Sequence, residues 1–101
     1  MENIKEKTVT LNDLGFENDS GYVLLIHNDD ITPFEYVIYV LTEICEVSID
    51  ESMRIAMTAH SGGKAVVKNF DSEEEAKQMQ NQINSANKEF GYNLVTSIEE
   101  E

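Results

Sequence analysis

The sequence has one cysteine, one proline and only 7 lysines and arginines against 20 acids. A lone Cys45 excludes an internal disulfide and any cysteine-based metal knuckle, and it agrees with a reducing compartment. The formal charge of −13 works against binding to nucleic-acid phosphates or anionic membrane surfaces and favours basic or cationic partners. The longest uncharged apolar runs, Tyr22 to Ile26 and Tyr36 to Leu41, are far short of the ~20 residues that cross a bilayer. The first residues also lack the apolar core of a signal peptide. These absences lead us to expect a soluble, cytoplasmic protein that binds neither nucleic acid nor membrane. With 101 residues, the chain has the length of one domain with a single core.

Met1 to Gly21 is polar and without sustained periodicity, which predicts a flexible N-terminal arm over 1–21. Thr8-Val9-Thr10-Leu11 has the composition of a short strand, and Leu14 and Phe16 are apolar points within the arm. The core domain is expected over 22–98, followed by an acidic tail at 99–101.

Tyr22 to His27 reads as a buried strand, so Asn28, Asp29 and Asp30 fall in a strand-to-helix turn. Thr32, Pro33 and Glu35 then have the order of an N-cap, a first-turn proline and the acid of a capping box. Phe34, Val37, Ile38, Leu41, Ile44 and Cys45 follow with helical spacing, predicting a helix over about 33–45. Cys45 lies on that apolar stripe and reads as a small core residue rather than a nucleophile. Ser48 and Glu51 form a second capping box. The next helix places Met53, Ala56, Met57 and His60 on one face and stops at Gly62-Gly63. Lys64 to Phe70 reads as a second strand. Ser72 and Glu75 open a third helix, striped by Ala76, Met79, Ile83, Ala86 and Phe90 and stopped by Gly91. Tyr92 to Ile98 completes the order β-α-α-β-α-β.

Three strands need one face covered, and three amphipathic helices need a shared apolar surface. The predicted fold is therefore an α/β (α+β) two-layer sandwich, a three-stranded antiparallel sheet covered on one face by three helices.

No nucleophile elbow, glycine-rich phosphate loop, HExxH pair or serine or cysteine with an evident base is present, so no catalytic residue is assigned. Asp29 and Asp30 are adjacent carboxylates, but His60 is the only obvious further ligand, so neither a metal nor a cofactor is expected. Asn28 and Asp29 offer acceptors suited to an ammonium group, and the same residue types also build turns; spacing leaves both roles open. Asp30 is assigned to the turn. Phe34, Val37, Ala56, Ala59, His60 and Leu94 supply an apolar wall beside these acceptors, with His60 also able to hydrogen-bond.

Asn28-Asp29-Asp30-x-Thr32-Pro33-x-Glu35, with a downstream His60-x-x-Gly63-Lys64-Ala65, resembles the ClpS adaptor family over roughly Tyr22 to Ile98. The resemblance implies a non-enzymatic adaptor, expected to be monomeric. It implies binding of proteins with a destabilising N-terminal residue and their transfer to the ClpA-type AAA+ unfoldase of the ClpP protease. It assigns the substrate α-amino group to Asn28, Asp29 and, directly or through water, His60. Thr32, Phe34, Val37, Ala56, Ala59 and Leu94 stand where the family lines its side-chain pocket. Members usually carry methionine at the position of Phe34 and bulkier aliphatics at Ala56 and Ala59, which implies a reshaped pocket. Leu, Phe, Tyr and Trp are the implied first residues, an aromatic one above all. Glu73, Lys77 and Gln78 stand on the unfoldase-contacting surface, with Gln78 at a position often taken by lysine. A second reading, from a different class, is a helix-surface interaction module like the small α/β domain of the ribosomal stalk protein, indifferent to a free N-terminus.

Overall fold

The computed structural model describes residues 21–101. The expected arm, with Leu14, Phe16 and the Thr8–Leu11 strand, lies outside the described residues but for Gly21. Strand β1 (Tyr22–His27) is central, pairing antiparallel with β2 (Lys64–Phe70) on one side and β3 (Thr96–Glu100) on the other. Its apolar run is buried through its middle, at Leu24, Leu25 and Ile26, and half-buried at Tyr22, Val23 and His27. Leu24 and Ile26 face the helices at 0% and 1% exposure, and Leu25, pointing the opposite way, is only 4% exposed.

Opposite β1 the register slips by one residue, so that Leu24 pairs with Lys68 and Leu25 with Val66. Val67 is the extra residue, and this bulge leaves both Ala65 and Val67 in the core. It also turns Lys68 toward the helices, where its ammonium donates to the carbonyl of Cys45 at 3.1 Å. That cation closes the C-terminal end of the first helix.

Helix α1 (Phe34–Tyr39) runs straight into a π-helical segment, Val40–Ile44. The expected regular helix over 33–45 is therefore widened in its second half, with Cys45 N–H donating to Val40 O at 3.0 Å and Val47 N–H to Leu41 O at 2.9 Å. The Thr42 hydroxyl donates to Ile38 O at 2.9 Å, competing for a helix carbonyl in the turn before. The wider turn brings Val40, Leu41 and Cys45 all to 0% exposure and leaves Ile44 half-buried. Burial pushes the Cys45 thiol up to about 11, with Lys68 acting weakly in the opposite sense, which agrees with a core cysteine. Glu46 then reverses the chain at φ 60°, a left-handed conformation unfavourable for a residue with a Cβ.

Thr32 is not the N-cap. Pro33 occupies that position, without a side-chain cap, and its carbonyl accepts from Tyr36 and Val37 N–H. No Thr32–Glu35 capping box forms, because the Thr32 hydroxyl is turned toward Asp29. The other two caps form as expected: Ser48 accepts from Glu51 N–H and Ser72 from Glu75 N–H, both at 3.2 Å.

Helix α2 (Ile49–Gly62) buries Ser52, Ile55, Ala56 and Ala59, about one residue's rotation from the expected Met53, Ala56, Met57 and His60 face. Ser52 explains the shift. Its hydroxyl reaches Val47 O at 3.5 Å, so a small polar residue takes an inward position, while Met53 and Met57 are exposed. Helix α3 (Glu73–Phe90) buries Ala76, Ile83, Ala86 and Asn87, with Met79 packed against the core and Phe90 left exposed. Asn87 is held at both ends of its amide, accepting from Tyr36 Oη at 2.8 Å and donating to Leu94 O at 2.9 Å. Buried polar atoms are tolerated when satisfied in this way.

Strand β3 begins at Thr96 rather than Tyr92 because Tyr92 N–H closes the end of α3 on Asn87 O at 3.0 Å. Glu99 and Glu100 belong to β3, opposite Val23 and Tyr22, rather than to an acidic tail. Glu101 N–H then bonds Gly21 O at 2.8 Å. With those end corrections, the two-layer β-α-α-β-α-β sandwich with three helices and a three-stranded antiparallel sheet is the observed architecture.

Candidate functional site

The site forms where β1 leaves the sheet. Gly63 adopts φ 95°, which only glycine takes readily, and ends α2 with its N–H on Ala59 O at 2.8 Å. Its carbonyl then accepts from Asn28 N–H, also at 2.8 Å. This one bond ties the end of α2, which carries His60, to the turn that follows β1.

Within the turn Asp29 is the organising residue. Its Oδ1 accepts from Ile31 N–H at 2.8 Å and Thr32 N–H at 2.6 Å, and its Oδ2 from the Thr32 hydroxyl at 2.7 Å. The Thr32 backbone N–H holds its carboxyl below the usual carboxylate value, against partial burial and with help from the Thr32 hydroxyl and Ile31 N–H. The sequence assigns the turn to Asp30 and leaves a turn role open for Asp29; in the structure Asp29 makes these bonds, and Asp30 is exposed beside it. An ionised carboxylate has about four acceptor positions. Three are used here, which leaves Asp29 able to take one further donor as an anion.

Asn28, Asp29, Asp30 and His60 stand at the edge of a cavity of about 470 Å³. Thr32, Phe34 and Val37 from the turn and α1, Ala56 and Ala59 from α2, and Leu94 ahead of β3 complete the predicted set, and all of them line the same cavity. Ala56 and Ala59, each 4% exposed, give the α2 side of the cavity only short side chains. Phe34 is 40% exposed, at the open side. The volume falls in the usual range of about 300–1,000 Å³ for ligand cavities, with apolar walls and few polar groups.

The sequence reading missed Ile26, His27 and Met57, which also line the cavity. Ile26 is a core strand residue by pattern, and the His27 ring nitrogen is held by Ser97 Oγ at 2.7 Å across the sheet. Met57 carried a signal: it stands on α2 beside Ala56 and one turn from His60, both of which line the cavity.

Pro33 and Glu35 line a different depression, on the other side of α1. Glu73, Lys77 and Gln78 lie together on the exposed first turns of α3, outside the cavity lining, with Lys77 Nζ 3.6 Å from Glu73 Oε2. Among the described residues no group of three or more His, Cys, Asp or Glu side chains is placed to hold a metal ion. Among them, too, no helix is long and apolar enough to cross a membrane.

The arrangement suits a bifunctional ligand. Acceptors in the lining suit a cationic amine, and the apolar walls suit a large side chain attached to it.

A family profile described as the ATP-dependent Clp protease adaptor protein ClpS matches residues 17–97. The ClpS 2 adapter of Mesorhizobium japonicum is 36% identical over 85 residues, covering 84% of this chain and 83% of that protein. A Leptospira biflexa ClpS adapter is 47% identical over 45 residues, which span 45% of this chain and 40% of that relative. The solved structure of Agrobacterium tumefaciens ClpS2 bound to L-phenylalaninamide superposes with a TM-score of 0.76 at 34% identity. It covers 82% of this chain and 99% of that one.

Proposed function

The chain belongs to the ClpS family of Clp protease adaptors, and from that premise we propose that it binds the free α-amino group and bulky apolar first side chain of substrate proteins. It delivers them to a ClpA-type AAA+ unfoldase for degradation by ClpP. The family is one of adaptors rather than proteases, and the reading asks no bond-making or bond-breaking of this chain.

The observation that carries the proposal is the joining of two chemistries in one cavity: acceptors at Asn28, Asp29 and His60, and an apolar chamber behind them. The ligand of the Agrobacterium ClpS2 structure has the matching parts. L-phenylalaninamide carries a free α-amine, a benzyl side chain and a carboxamide in the position of the first peptide bond. In this chain the ammonium donates to the Asn28 side-chain oxygen, the remaining acceptor position of Asp29 and, directly or through water, His60. The side chain enters between Thr32, Phe34, Val37, Ala56, Ala59 and Leu94. Two or three charge-assisted hydrogen bonds at about 1.5–3 kcal/mol each, plus about 1.5–3 kcal/mol for the buried side chain, are set against the cost of association. The largest of these gains, about 12 kcal/mol, less the smallest association cost, about 4 kcal/mol, sets about 1 μM as the tightest dissociation constant the contacts support.

The exposed Glu73, Lys77 and Gln78 surface at the start of α3 is the proposed contact with the unfoldase N-domain, in the cytoplasm and with the adaptor as a monomer. Free-amine peptides identical except at the first residue test the pocket. Leu, Phe, Tyr and Trp bind, whereas Gly, Asp and Lys bind at least tenfold more weakly. Equal affinity across the set contradicts the reading.

A further inference from the structure

Helix α1 separates two depressions. Phe34 and Val37 look into the cavity described above, while Glu35, Tyr36 and Tyr39 look the other way. On that second side the end of α3 doubles back. Gly91, at φ 81°, and Tyr92 both donate their N–H groups to Asn87 O, and the reversal lays the Tyr92 ring on Tyr36 at a centroid distance of 4.5 Å. Phe90 meets Tyr39 edge-on at 5.5 Å and 78°. Together with Pro33 and Glu35 these four rings border a space of about 420 Å³.

Only Tyr36 is there for packing: it is 6% exposed and its hydroxyl is engaged by Asn87. Tyr39, Phe90 and Tyr92 are 39%, 47% and 38% exposed, although the spacing of α3 could have turned Phe90 inward. Half of the protein's eight Phe and Tyr residues thus gather at one open depression. Contiguous exposed apolar surface of this kind marks an interaction site more often than isolated exposed side chains do.

Charge selects the occupant. Glu35 borders the space, and Glu89 lies close enough to help raise the Tyr36 pKa, after burial and the neighbouring tyrosines. Lys88 is the one base in the last turn of α3. A second copy of this chain would bring another −13 charge and another Glu35 to the same place, and nucleic acid would bring phosphates. A guanidinium fits both features, because it stacks on aromatic faces and pairs with a carboxylate through a planar fork.

We propose that the Tyr36–Tyr39–Phe90–Tyr92 cradle with Glu35 is a second binding site, which takes an arginine-bearing basic segment of a partner protein. It needs no free N-terminus and shares no residue with the lining of the first cavity, so it stands independently of the amine-binding reading.

The probe is an N-acetylated, C-amidated peptide of alternating arginine and glycine. Its control carries citrulline, the neutral isostere, at every arginine. Ring resonances of Tyr39, Phe90 and Tyr92 are followed by NMR in the full chain. Binding of the arginine peptide with shifts centred on these rings, and at least tenfold weaker binding of the citrulline peptide, is the expected result. Phe90→Ser and Glu35→Gln each weaken binding about fivefold, and the second variant serves if the first fails to fold. The proposal is overturned if the rings do not shift at millimolar peptide, if shifts spread over the acidic surface without the rings, if citrulline binds equally, or if Glu35→Gln binds like wild type.

Discussion

Replacing Asp29 tests the division of labour in the turn after β1. Alanine at this position removes an acceptor from three donors, Ile31 N–H at 2.8 Å, Thr32 N–H at 2.6 Å and the Thr32 hydroxyl at 2.7 Å. Loss of a comparable capping acceptor costs about 0.5–2 kcal/mol, and three donors served by one charged group place this site at the upper end, about 2 kcal/mol. In a domain of this size each kcal/mol lowers Tm by roughly 4–8 °C, so Asp29→Ala should melt about 8–16 °C lower. Asp30→Ala, at an exposed neighbour, should stay within about 0.5 kcal/mol of wild type. Asp29→Asn separates shape from charge. Its amide oxygen can keep both backbone donors and its NH₂ can donate to the Thr32 hydroxyl, so most stability remains while the anion is lost. Affinity for a free-amine peptide should then fall at least tenfold, about 1.4 kcal/mol. Thermal melts by circular dichroism, run beside peptide titrations by fluorescence anisotropy, read both quantities. The reasoning fails if Asp30→Ala destabilises as much as Asp29→Ala, or if Asp29→Asn binds the peptide with wild-type affinity.

The same carboxylate links stability to pH. Its folded value is held below the ordinary 3.8, so its contribution is full above the unfolded value and is lost as pH falls from there through the lower folded one. Denaturant melts of wild type and Asp29→Asn from pH 6 to pH 2 should therefore converge toward the acid end, and parallel curves would contradict the assignment. Tyr36→Phe strips the donor from Asn87 Oδ1 in a buried position and should cost about 1–3 kcal/mol while leaving amine-peptide affinity unchanged. A variant as stable as wild type would show that this hydrogen bond contributes nothing. Glu46→Gly relieves the left-handed backbone at φ 60° and should raise stability by about 0.5–1 kcal/mol, with a lower Tm as the contrary result.

Elements with a strong local signal were legible in the sequence. The Ser48 and Ser72 caps, the glycine stops at Gly63 and Gly91, and β2 over Lys64–Phe70 formed as their residues indicate. Reading failed where a side chain had two possible partners. Thr32 precedes Pro33 and Glu35 as an N-cap would, but a carboxylate three residues earlier offers its hydroxyl and N–H a better acceptor. Ser52 and Asn87 are polar and so were not counted as inward-facing, yet each satisfies its polar atoms against the backbone or Tyr36 and goes inside. The π segment after Tyr39 was hidden because helical spacing over 34–45 fits regular and widened turns almost equally. The cavity lining was easier. Asn28, Asp29, Thr32, Phe34, Val37, Ala56, Ala59, His60 and Leu94 come from four parts of the chain and meet in one space, whereas Met57 was visible only as an apolar stripe without a destination.

Acetylation of the peptide N-terminus is the most direct test of the central claim, because it removes the positive charge, leaves the first side chain intact and sets a methyl group against Asn28 and Asp29. Two fluorescent peptides that begin with phenylalanine and differ only in this acetyl group are titrated with the full chain at pH 7. Binding of the free peptide near micromolar concentration, with the acetylated one weaker by a hundredfold or more, is the predicted result; equal affinities would contradict recognition of the terminal amine.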